Sequence, residues 1–197
     1  MDHNEFDMQE GLQTFKRLHV ALDKTKFPNF CLKPKQVQCF DYLLKGFDVI
    51  TVLPTGFGKS ILFQLLPDFL PVKTSQNIVL VVCPLSSIIE DQLVILNDVG
   101  ICADVLRVEN DLHMTELLFE PGPDRAEEHT RTTEGEGHEL NELPNSIVDG
   151  EAKIVFAHPE ALLSENGRKL LNSETYQKNV VACVIDEAHC VEMWYVE

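Results

Sequence analysis

The most constraining stretch of the chain is residues 48 to 60, Asp-Val-Ile-Thr-Val-Leu followed directly by Pro-Thr-Gly-Phe-Gly-Lys-Ser. The first half is a β-branched run of the kind that fills buried parallel strands. The second half is a sharp glycine loop. Apolar residues at helical spacing then predict a helix from about Lys59 to Leu70. Strand, glycine loop and helix in that order restrict the chain to the α/β class. They also give the context that a phosphate-binding loop requires. One position is irregular: the general pattern begins with glycine, and Leu53 stands there.

The rest of the chain repeats the alternation. Residues 9 to 24 predict a helix with Leu12, Phe15, Leu18, Val20 and Leu22 mostly on one face. Pro34 suits a first helical turn, Gln36 to Leu44 continue it, and Gly46 ends it. Residues 77–83 predict a second buried strand. Residues 86–99 predict a helix with Ser86 or Ser87 as its cap, and 103–108 a third strand. A strand at 152–156, a broken helix within 160–171 and an apolar strand at 179–186 complete the pattern. The expected fold is a parallel β-sheet flanked by helices. Residues 1–31 form an N-terminal helical segment and 32–197 the main lobe.

Residues 109–150 lose periodicity and are expected to be a disordered acidic insertion within that lobe. Residues 107–150 carry twelve acidic residues against three arginines, and so supply −9 of the net charge of −16. This charge argues against broad electrostatic attraction to nucleic acid, but the rest of the chain is only mildly acidic. The six cysteines, 31, 39, 83, 102, 183 and 190, form no Cys-x-x-Cys and have no His pair at zinc spacing. They read as reduced thiols, with Cys83 and Cys183 as small hydrophobes in strands, and no structural metal is expected. No apolar run reaches the roughly 18 residues of a membrane span, and the acidic N-terminus lacks the order of a signal peptide. The expected location is intracellular.

In the loop, Gly56 and Gly58 allow positive φ and a close backbone approach to an anion. The following helix would present its positive end. Lys59 can reach β- and γ-phosphates, and the Ser60 hydroxyl can ligate Mg²⁺. Taken alone, the stretch is also compatible with a glycine-rich turn that happens to end in Lys-Ser. Val180-Val-Ala-Cys-Val-Ile-Asp186-Glu187-Ala188-His189 adds an apolar strand that ends in two carboxylates. Phosphoryl chemistry needs one carboxylate for the metal, here Asp186, and one for the attacking water, here Glu187. Alone, that pair is also compatible with a helix start. Two such motifs in one chain, each after a buried strand, argue against coincidence.

Together these residues resemble the first motor lobe of superfamily 2 nucleic-acid helicases, most closely the RecQ family. Pro54–Ser60 resembles the family's Pro-Thr-Gly-x-Gly-Lys-Ser loop, where a non-glycine at position 53 is ordinary. Asp186-Glu-Ala-His-Cys190 with Trp194 resembles its carboxylate box and the start of its aromatic loop. Pro84-Leu-Ser-Ser-Ile-Ile-Glu-Asp-Gln92, His158-Pro159-Glu160 and Leu32-Lys-Pro-Lys-Gln36 resemble three further motifs in the family's order.

The resemblance implies a RecA-like P-loop lobe that binds ATP and Mg²⁺. Thr55, Gly56, Phe57, Gly58, Lys59 and Ser60 would hold the phosphates, and Gln36 and Lys33 the adenine. Lys33 stands where the family has arginine, and His158 where it has threonine. Pro84, Leu85, Ser86, Pro159, Glu160 and Trp194 would face single-stranded or forked DNA, and His189 would couple the two sites. The implied parent activity is ATP-dependent 3′-to-5′ unwinding, in the nucleus or, for a prokaryote, the cytoplasm. A second RecA-like lobe with arginine fingers is required for that activity and is absent from these residues. The chain is therefore expected to be a helicase fragment with weak ATP binding and very slow hydrolysis. The alternative is a non-catalytic nucleotide- or partner-binding module. A small-molecule kinase or GTPase fits poorly, since those classes lack Asp-Glu-Ala-His and the chain lacks Asn-Lys-x-Asp.

Overall fold

The computed structural model describes residues 3–27, 31–72, 76–107 and 143–190. Helices α1 (His3–Lys24) and α2 (Pro34–Leu44) lead to the glycine loop. After it come α3 (Ser60–Gln64), α4 (Leu66–Phe69), β1 (Ile78–Val82), α5 (Ser86–Asp98) and β2 (Ala103–Leu106). The remaining elements are α6 (Asn145–Val148), β3 (Ile154–Ala157), α7 (Pro159–Leu163), α8 (Glu165–Asn172), α9 (Glu174–Asn179) and β4 (Val180–Ile185). The four strands pair in the order β2-β3-β1-β4, all parallel. This is the expected α/β sheet, with helices on both faces.

β1 is buried along its whole length and β3 beside it is equally covered. One core gathers around Val79, Val81, Phe156, Leu65 and Phe69, with the Phe40 ring of α2 4.8 Å from that of Phe69 and tilted 59° to it. A second core on the other face holds Ile78, Leu80, Val155, Leu170 and Tyr176. Asn77, at the entry to β1, donates through Nδ2 to the Pro67 and Leu70 carbonyls at 3.0 and 2.9 Å and so ties α4 to the sheet. Asp68 holds both Lys24 of α1 and Lys153 before β3, at 3.1 and 3.0 Å.

Several expectations change. Residues 48–53 form no strand and pair with none among the described residues, and Ile50 and Val52 are 94% and 90% exposed. A β-branched run forms a ladder only if a neighbouring strand offers its backbone groups. The single helix expected over 59–70 is two short ones, because Pro67 starts a new turn and Leu65 marks the junction. The buried face of α1 is Thr14, Leu18, Ala21 and Thr25, whereas Leu12, Phe15 and Val20 are exposed. Helix α5 begins after Leu85 with no side-chain cap from either serine. Cys183 is exposed on β4, the edge strand.

Of the expected insertion, residues 108–142 lie outside the described residues. Residues 143–150 are folded: Leu143 and Ile147 enter the second core, and the Tyr176 hydroxyl donates to the Ile147 carbonyl at 3.1 Å. A disordered segment to 150 is therefore corrected; Leu143, Ile147 and Val148 anchor it on the second core. Helix α1 adds Leu18 and Ala21 to the first core and so packs with the lobe. No helix among the described residues is long and apolar enough to cross a membrane.

Candidate nucleotide site

Parallel strands end on one side of the sheet, so the turns after β1, β3 and β4 gather along one edge. The glycine loop is built locally. Phe57 N–H bonds the Pro54 carbonyl at 3.1 Å, and Gly56 and Gly58 take φ of 75° and 87°. Both values lie where an L side chain is strained. Ser60 opens α3, and its Oγ accepts from Gln92 Nε2 at 3.4 Å; Gln92 Oε1 in turn accepts from Gln64 Nε2 at 2.7 Å. The Lys59 ammonium donates to its own loop at the Leu53 carbonyl, 3.3 Å away. Thr55 is exposed at the loop's outer turn.

A second set of contacts reaches the loop from α2. Gln36 is 1% exposed. Its Nε2 donates to the Phe57 and Gly58 carbonyls at 3.2 and 2.9 Å, and its Oε1 accepts from Lys33 N–H at 2.7 Å. The Lys33 ammonium bonds the Phe57 carbonyl at 2.9 Å and sits 4.2 Å from the Phe57 ring centroid. Gln36 is therefore not a surface helix glutamine. A Cβ added at Gly58 would lie 2.9 Å from Gln36 Nε2, so this glycine is required twice, by its φ and by the approach of that amide.

The carboxylate pair follows β4. Asp186 N–H continues the ladder onto the Val82 carbonyl at 2.9 Å, and Asp186 Oδ1 accepts from Glu187 N–H at 3.0 Å. Burial pushes the Asp186 carboxyl above its ordinary pKa; the Glu187 N–H and Lys59 hold it back, while the Glu187 carboxylate adds to the rise. Lys59 is thus near enough to act on the charge of the half-buried Asp186 carboxyl. Glu187 has φ of 50°, a left-handed conformation that an ordinary residue adopts only when its surroundings enforce it. His189 Nδ1 lies 3.1 Å from Glu187 Oε2 with 74% of its side chain exposed, so it is not a buried histidine. Cys190 is buried beneath the turn, its N–H on the Glu187 carbonyl at 2.8 Å.

At the same edge, Pro84 and Leu85 follow β1 and lead to Ser86 at the start of α5, and Pro159 and Glu160 open α7 after β3. β1 and β3 are neighbours, and Ser86 Oγ lies 3.1 Å from His158 Nε2. Sequence reasoning missed this pair: the two residues are 72 positions apart, and only adjacency of the two strands could have shown it. It also missed the link from Gln92 to Ser60. Trp194 lies outside the described residues.

A parallel sheet with a carboxylate turn at a strand end, together with a glycine loop and lysine that open a helix, is consistent with a P-loop domain of the RecA-like class. The sequence pattern of the DEAD/DEAH box helicases matches residues 33–197, and the chain belongs to that family. It is 32% identical over 98% of its length to the RecQ-like DNA helicase blm-1 of Caenorhabditis elegans, covering 17% of that protein. It is 27% identical over 89% of its length to the ATP-dependent DNA helicase Q1 of Rattus norvegicus, covering 24% of it. With the ATP-dependent DNA helicase RecQ of Haemophilus influenzae it shares 26% identity over 89% of its length and 23% of that protein. The chain spans a quarter or less of each of these relatives.

Proposed function

We propose that residues 32–197 are the ATP-binding lobe of an ATP-dependent 3′-to-5′ DNA helicase of RecQ type. The lobe works with a second RecA-like lobe, in a nucleus or a prokaryotic cytoplasm. The observation that carries this reading is the geometry of the loop: Gly56 and Gly58 at positive φ lead through Lys59 into α3, which Ser60 opens. Thr55 to Ser60 cradle the triphosphate, with Lys59 on its β- and γ-oxygens. Gln36 and Lys33 lie toward the base.

The Ser60 hydroxyl and the Asp186 carboxylate are hard oxygen donors of the kind Mg²⁺ takes, so the residues present fit that ion. When bound, it neutralises charge on the phosphate oxygens. Glu187 orients the attacking water. Pro84, Leu85, Ser86, Pro159 and Glu160, with Trp194, contact single-stranded DNA. Hydroxyl and backbone donors suit an acidic chain there, because they hold phosphates without net positive charge. His189, whose Nδ1 lies 3.1 Å from the Glu187 carboxylate, links the two sites.

Fluorescent-nucleotide titration with Mg²⁺ tests the assignment. Lys59→Ala should lower ATP affinity at least about tenfold, the loss expected for a charge-assisted contact. Unchanged affinity in that variant refutes the site.

A further inference from the structure

The contacts from α2 to the loop raise a question of valence. A primary amide has two N–H donors and one oxygen with two lone pairs. The Gln36 Nε2 already serves two loop carbonyls, Phe57 at 3.2 Å and Gly58 at 2.9 Å. A purine presenting N7 and an exocyclic amine needs one of those N–H groups and the Gln36 oxygen. Gln36 cannot give that N–H to a base and keep both loop carbonyls. Lys33 strengthens the same attachment, because its ammonium holds the Phe57 carbonyl at 2.9 Å and lies over the Phe57 ring. Position 57 is the variable residue of the glycine loop, so an aromatic here gives the lysine a second hold on a backbone that must also cradle phosphates.

We propose that Lys33 and Gln36 latch the phosphate loop through the Phe57 and Gly58 carbonyls, and that a purine edge taking up the Gln36 amide releases the loop for the phosphates. The inference rests on the reading of this loop as a nucleotide site. Base selection is then expressed in the phosphate loop itself: a nucleotide whose base cannot draw Gln36 away meets a loop that is still latched. Lys33 and Phe57 are positioning residues in this scheme, acting on the loop and not on the reacting atoms. The Lys59 ammonium turned onto Leu53 is consistent with a loop at rest.

Inorganic tripolyphosphate, which has no base, separates the latch from base contact. Its affinity, with those of ATP and GTP, is measured by calorimetry on the full chain and two variants. Gln36→Met keeps side-chain volume and removes the amide. It should raise tripolyphosphate affinity about 3- to 10-fold, the range for one or two released hydrogen bonds, and abolish the preference for ATP over GTP. Phe57→Leu removes only the ring under Lys33; it should raise tripolyphosphate affinity about twofold and keep the preference. Tripolyphosphate affinity unchanged or lowered in both variants overturns the latch, since Gln36 would then pre-form the loop. If Gln36→Met unfolds, Phe57→Leu decides. Loss of ATP binding in Lys59→Ala alongside weakened tripolyphosphate binding in Gln36→Met sinks the latch alone. ATP binding untouched by Lys59→Ala sinks the nucleotide site and the latch with it.

Discussion

Two glycines two residues apart allow the α2-to-loop attachment to be weighed by subtraction. Gly56 and Gly58 both have positive φ, 75° and 87°. An added Cβ at Gly56 meets nothing within 4 Å, whereas at Gly58 it comes to 2.9 Å from Gln36 Nε2. Gly56→Ala therefore incurs backbone strain alone, about 1–2 kcal/mol. Gly58→Ala incurs the same strain and also displaces the Gln36 amide. The amide is the far end of a flexible side chain, so in open surroundings it would move at little cost. Here it is 1% exposed and bonded at both ends, so moving it breaks at least one hydrogen bond and strands a buried donor. That adds about 1–2 kcal/mol, for a total of about 2–4 kcal/mol. Urea denaturation followed by circular dichroism measures both variants, and equal m-values keep the comparison sound. Gly58→Ala should be the less stable by at least about 1 kcal/mol. Two variants equal within about 0.5 kcal/mol would show that Gln36 is not held as described, and would remove the structural basis of the latch.

Tyr176→Phe should cost about 1–2 kcal/mol in the same assay, because it leaves the buried Ile147 carbonyl without its 3.1 Å donor; no change would mean that residues 143–150 are not anchored there. The same residue gives a pH signature. Burial, with Asp104 adding, raises the Tyr176 phenol above its ordinary value, so the native state keeps its proton longer than the unfolded chain. Its contribution is complete below the unfolded pKa of about 10 and is lost as pH rises beyond that. The wild type should lose stability above about pH 10 more steeply than Tyr176→Phe, as read by melting temperature against pH. Val52→Thr should change stability by less than about 0.5 kcal/mol, since the side chain is 90% exposed; a loss above about 1 kcal/mol would place residues 48–53 in a packed strand.

Much of the candidate site could be proposed from the sequence because the chemistry it would need is contiguous. A loop that wraps phosphate must take its glycines, lysine and serine from one short stretch, and the carboxylates must sit at one strand end. The sheet was legible from the apolar runs at 78–82, 154–157 and 180–185, which became β1, β3 and β4. What the sequence withheld were the non-local choices. On α1, Leu12 and Phe15 look like core by hydropathy, yet the helix turns Thr14, Leu18, Ala21 and Thr25 inward. Small residues allow a close approach to α4, and the threonine hydroxyls find partners at Asp41 and the Leu22 carbonyl, both at 2.9 Å. Hydropathy counts the gain of burying a large side chain but not the distance at which two helices must pack. The pairing of Ser86 with His158 escaped for a similar reason: it depends on β1 lying beside β3, not on any spacing along the chain.

Residues 48–53 show how a run with strand propensity can stay outside the sheet. The β-branched run carries strand propensity, but among the described residues it makes no backbone ladder with a strand. In an α/β sheet the strand before a glycine loop normally fixes where the loop points. Here the described contacts that orient the loop come from elsewhere: Gln36 and Lys33 of the α2 start grip Phe57 and Gly58, and Gln92 of α5 reaches Ser60. Leu53 bridges the two regimes, packed against the first core while its carbonyl receives Lys59. The loop is therefore anchored on the side where a base would sit and at the serine that would meet the metal. Changes to α2 should then reach the phosphate site more directly than changes to the exposed run that precedes it.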